Sequence, residues 1–86
     1  MSAQLSDVEE AMLQFEGRYW RLTGVKERAI RETFGMTSTD YYHHLARLID
    51  RPEALAANPI VVKKLLAQRE SRARARQERR KSAADR

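Results

Sequence analysis

After Leu66 the chain carries no residue more apolar than alanine, and nothing aromatic. Such a stretch of Arg, Ala, Gln, Glu, Lys and Ser cannot form a core of its own. Whatever packs must come from the first 66 residues, enough for one small core and hardly for an enclosed cavity between subdomains. The reading is therefore one domain over residues 1–68 and an Arg-rich tail over 69–86.

Charge follows the same division. Residues 1–68 hold nine basic and nine acidic side chains, whereas 69–86 hold eight basic and three acidic ones, so the whole formal net charge of +5 lies in the tail. Seven of those eight cations are arginines, whose planar fork suits phosphate, and the tail reads as a polyanion-binding arm. It has no internal Gly or Pro, and a helix begun upstream can continue into it. The first 17 residues are acidic instead.

The chain has no cysteine, which excludes disulfides, thiolate metal sites and cysteine nucleophiles and fits a reducing, cytoplasmic setting. No signal peptide or membrane span is expected, because the longest run of large apolar residues is Ile60-Val61-Val62.

The body reads as all-α, a small helical bundle. Ser6 and Glu9 form a capping-box pattern, and Val8, Met12, Phe15, Tyr19 and Leu22 recur at helical spacing up to Thr23-Gly24, with Gly17 tolerated inside the helix. A second helix spans Val25 to Phe34 with Val25, Ala29, Ile30 and Phe34 inward. A third runs from Ser38 to Ile49 with Tyr41, Leu45, Leu48 and Ile49 as its core stripe. Pro52 opens a short helical turn through Ala57. Asn58-Pro59 then starts a last helix whose seam is Ile60, Val61, Val62, Leu65 and Leu66.

The segment Ala29 to Leu45 looks like a helix-turn-helix. Gly35 permits a positive φ, Met36 plugs the angle between the helices, and Thr37 or Ser38 caps the second one. Arg31 stands where many such motifs carry a small residue, so either it snorkels outward or the helices cross more widely. The N-terminal residues of the second helix contact base edges in this motif. Thr37, Ser38, Thr39, Tyr42 and His43 are accordingly assigned to the major groove. Arg28, Arg31, Arg47 and Arg51 are assigned to phosphates, and Arg69, Arg72, Arg74, Arg76, Arg79, Arg80 and Lys81 of the arm to phosphates or the minor groove. His43 and His44 diverge by about 100° on a helix and cannot share a metal. No nucleophile with an oriented base, carboxylate pair or cofactor fingerprint appears, so neither an enzyme, a cofactor, a metal nor a small-molecule substrate is expected.

Phe15-Glu16, Trp20, Gly24 to Glu32, Phe34-Gly35-Met36, Tyr41-Tyr42, Leu45, Leu48 to Leu55, Asn58-Pro59 and Val62 together resemble a small actinobacterial family classed as a domain of unknown function. At least one relative is described as a nucleoid-associated, DNA-binding regulator. The resemblance spans Leu5 to Arg69, is most specific in Lys26–Ile30 and Tyr41–Pro59, and implies binding of double-stranded DNA in the cytoplasmic nucleoid, in nucleoid organisation or transcription regulation. Two alternatives from the residues are a protein-interaction module, its acidic first helix meeting the transcription machinery, and an RNA-binding protein acting through the arm. Homodimerisation stays open, with Leu13, Trp20 or Leu66 as the available apolar surface.

Overall fold

The computed structural model describes residues 4–18 and 23–84, and five helices make up most of them: α1 Asp7–Glu16, α2 Thr23–Phe34, α3 Ser38–Leu48, α4 Pro52–Ala57 and α5 Pro59–Ala84. The all-α reading holds, with no strand among the described residues.

Four of the five starts, those of α1, α3, α4 and α5, are built as their sequence dictates. Ser6 Oγ accepts from the Glu9 amide at 3.1 Å, and the Ser6 amide donates to Glu9 Oε1 at 2.8 Å, closing the capping box of α1. Thr37, at φ −70° and ψ 158°, accepts from the Asp40 amide at 3.2 Å and is the cap of α3. Pro52 opens α4 and Pro59 opens α5, where Asn58 Oδ1 accepts from the Val61 amide at 3.4 Å.

The first helix is shorter than its apolar periodicity suggests. It stops at Glu16, and Gly17 is its C-cap rather than a tolerated interior residue. A Cβ on Gly17 would lie 3.3 Å from the Gln14 carbonyl oxygen and 3.4 Å from Val61 Cγ2, so the missing side chain lets α1 end against α5. Tyr19, Trp20 and Leu22, read as parts of this helix or its exposed edge, lie outside the described residues. Gly24 falls inside α2, which begins two residues before Val25.

Between α2 and α3 the chain reverses at Gly35, whose φ of 66° is the left-handed conformation that disfavours any side chain. Its amide donates to the Arg31 carbonyl at 2.9 Å, and Met36 packs half-buried against the core.

Met12, Leu13, Phe15, Ile30, Tyr41, Leu45, Leu48, Ile49, Ala54, Val61 and Val62 form the core. Phe15, Phe34 and Tyr41 meet at centroid distances of 5.3–5.7 Å, Phe15 standing edge-on to the other two. Several expected positions change sides. Leu13 is only 1 % exposed, which removes it from any surface for a second copy. Val8 and Val25 are half exposed, and Ile60 is 81 % exposed because it stands in the first turn of α5, opposite the side that Val61 and Val62 bury. The apolar seam of α5 therefore runs from Val61 through Val62 to the half-buried Leu65 and Leu66.

Candidate nucleic-acid interface

Alpha3 lies with Tyr41, Leu45 and Leu48 buried, and this fixes what its other faces offer. At about 100° per residue, Thr39, His43 and Arg47 form one row opposite the core, and all three are exposed. Ser38 is half-buried at the start of the helix, and Thr37 commits its hydroxyl oxygen to the cap. Tyr42 sits on the flank toward α5, where its ring meets Tyr41 edge-on at 5.2 Å and Lys26 Nζ lies 5.2 Å from its centroid. His44 lies on the other flank, beside Ser6, Glu9 and Arg51. Arg28 and Arg31 are both exposed on α2, so Arg31 does turn outward.

Three of the assigned arginines already have protein partners, and for two of them these lie in the body. Arg51 Nη1 donates to Glu9 Oε2, and its Nε lies 3.8 Å from Glu53 Oε2, which ties the end of α3 to the first turn of α1. Arg69 makes a two-pronged pair with Asp50, at 2.7 and 3.3 Å, joining α5 to the residue just past α3. Arg69's hydrogen bonds hold the Asp50 carboxyl below the usual carboxylate range, and the same bonds raise Arg69. Either arginine would reach a phosphate only by giving up these bonds.

The arm continues α5 as helix through Ala84 without a break, and its side chains from Arg69 to Ala83 are exposed apart from Ala75. Arg74 lies 3.8 Å from Glu70 across one turn. Arg72, Arg76, Arg79, Arg80 and Lys81 have no acidic partner among the described residues. A cleft of about 340 Å³ separates α3 from α5, lined by Tyr42, Ala46 and Ile49 on one side and Leu65, Gln68 and Arg72 on the other. It brings the root of the arm beside the flank of α3.

Beneath this cleft is a group that sequence reasoning missed. Glu16 is 7 % exposed, with Oε1 accepting from Lys26 Nζ at 3.0 Å and Oε2 accepting from the Tyr41 hydroxyl at 2.6 Å. Burial, and then the bond to Glu16, push the Tyr41 hydroxyl far above its ordinary value. This buried knot fastens α1, α2 and α3 together. The signal was present, since Glu16 falls four residues after Met12 on the apolar stripe of α1.

Among the described residues no group of His, Cys, Asp or Glu could hold a metal ion, and no helix is long and apolar enough to cross a membrane. A family model described as "Protein of unknown function (DUF3263)" matches residues 4–77, reaching past Arg69 into the arm. No curated protein and no solved structure matches the chain.

Proposed function

The chain belongs to the DUF3263 family, whose function is unknown, and from that premise we propose that it binds double-stranded DNA. In this reading α2, Gly35 and α3 act as a helix-turn-helix with α3 in the major groove. Thr39 and His43 reach base edges, while Ser38 and Tyr42 lie beside them. Arg47 serves the flanking phosphates, Arg28 and Arg31 remain available to the backbone, and the arm of α5 follows the phosphates. In this reading the work is done in the cytoplasmic nucleoid, as chromosome organisation or transcription regulation, and the resemblance to a small actinobacterial family supports it.

The observation that carries this reading is the set of five exposed cations, Arg72, Arg76, Arg79, Arg80 and Lys81, left without acidic partners on a helix rooted beside α3. Surface cations serving only solubility have no need to be mostly arginine, whereas the planar fork of arginine suits phosphate. Each phosphate neutralised contributes about −0.9 to the slope of log K against log[salt]. Titrating the full chain against random and selected duplexes at several salt concentrations should give a slope of about −3 to −5. Selection that returns no motif would leave phosphate binding and remove base reading, and no retardation even at about 50 mM salt would sink the proposal.

A further inference from the structure

The arm has two unlike faces. At about 100° per residue, Val61, Val62, Leu65 and Leu66 mark the side of α5 that packs on the body. Arg69, Arg72, Arg76, Arg79 and Arg80 fall within about 100° of arc inside that side, with the small side chain of Ala73 at its edge. The arginines are the apolar seam continued. In steps of seven, Val62 leads to Arg69 and Arg76, Leu65 to Arg72 and Arg79, and Leu66 to Ala73 and Arg80.

The opposite side of the arm carries Glu70, Arg74, Glu78 and Lys81, which cancel one another, with Arg74 already drawn to Glu70. Both acids that the structure describes on the arm thus lie away from the stripe. The near end of the stripe opens into the cleft lined by Tyr42, Ala46, Gln68 and Arg72, and its root is held at Arg69 by Asp50.

We propose that the arm binds as an intact helix and by this one face. Its ligand is a phosphodiester strand of the duplex, lying along Arg72, Arg76, Arg79 and Arg80 and continuing into the cleft beside α3. Arg74 and Lys81 stay out of contact. The proposal rests on the DNA-binding reading above and deepens it, since an arm that acted as a flexible cloud of charge would use all of its cations alike.

Two variants of the full chain with equal charge decide the matter. Arg76→Ala with Arg80→Ala removes two charges from the stripe, and Arg74→Ala with Lys81→Ala removes two from the other face within the same eight residues. Alanine is the best helix former, so circular dichroism should show both variants as helical as the parent. On a 20–30 base-pair duplex, the stripe pair should flatten the salt slope by about 1.8, and the other pair should change it by less than about 0.5. Equal losses overturn the proposal.

Elution from immobilised heparin, a polyanion other than DNA, separates this inference from the reading beneath it. If the parent fails to bind the duplex, the DNA reading falls. Earlier elution of the stripe pair than of the other pair would still support one-faced binding, and coincident elution would overturn it.

Discussion

The two halves of α5 share one helix and one face but hold their place by different means. From Val61 to Leu66 that face is apolar and lies on the core, with Val62 wholly buried. From Arg69 onward the same face is arginine, and among the described residues no ion pair joins it to the body beyond Arg69 and the cleft reaches no further than Arg72. About 18 Å of helix, at 1.5 Å per residue from Arg72 to Ala84, therefore projects from the body, and the longest dimension of the molecule is 51 Å. Nucleating a helix is the costly step, so a root fixed by packing lets good helix formers propagate it. What differs is where stability comes from: tertiary burial in the first half, propensity in the second.

The sharpest way to break this contrast is to compare one substitution in each region. Ile30→Ala, at a fully buried site, should cost about 2–5 kcal/mol in denaturant unfolding, whereas Arg76→Ala should stay within about 0.5 kcal/mol. Comparable losses would mean that the arm packs on something in solution. Next in size is the knot under the cleft. Glu16→Ala leaves the Tyr41 hydroxyl buried without its acceptor and Lys26 without its carboxylate, and should cost about 1–3 kcal/mol. Tyr41→Phe in that background should recover part of the loss, and no recovery would remove the hydroxyl from the account.

The helices were legible because periodicity, caps and breakers agreed: Ser6 with Glu9, Thr37, Pro52 and Asn58-Pro59 all stand where the structure starts a helix. Periodicity failed where tertiary proximity decided. Gly17 is the C-cap of α1, and the close approach of Val61, distant in sequence, is encoded by no local pattern. Glu16 itself stood on the apolar stripe of α1, but its partners were hidden, since they lie 10 and 25 residues away. On the candidate interface, the exposed row Thr39, His43 and Arg47 follows from knowing which side of α3 is buried, and that stripe was plain. The pairing of Arg51 with Glu9 and of Arg69 with Asp50 was not, because charge counting treats every arginine as free.

A smaller effect sharpens the contrast from the side of the arm. Ala75→Gly should weaken helix locally by about 1 kcal/mol while leaving the unfolding of the body unchanged. Hydrogen exchange of amides after Ala75 should quicken, and those of Val62 and Leu65 should not. If the exchange of Val62 quickens equally, the two halves of α5 unfold as one unit and the division drawn here is wrong.

The smallest effect lies at the boundary itself, in two carboxyls that are both held low for different reasons. Glu9 is lowered first by the Ser6 backbone amide and only then by Arg51, whereas Asp50 is lowered chiefly by hydrogen bonds from Arg69. A group whose folded value lies below its unfolded one contributes stability above the unfolded value and loses it as pH falls through the folded value. Both contributions are therefore full at neutral pH and vanish only below about pH 4. Exposed pairs are screened and weak, so little unfolding should follow, and side-chain carboxyl resonances are the better measurement. Arg69→Ala should return Asp50 to the ordinary aspartate range of about 3.9, while Arg51→Ala should leave Glu9 still depressed by its backbone donor. Should Asp50 titrate low even without Arg69, the root of the arm is fastened by something other than this pair.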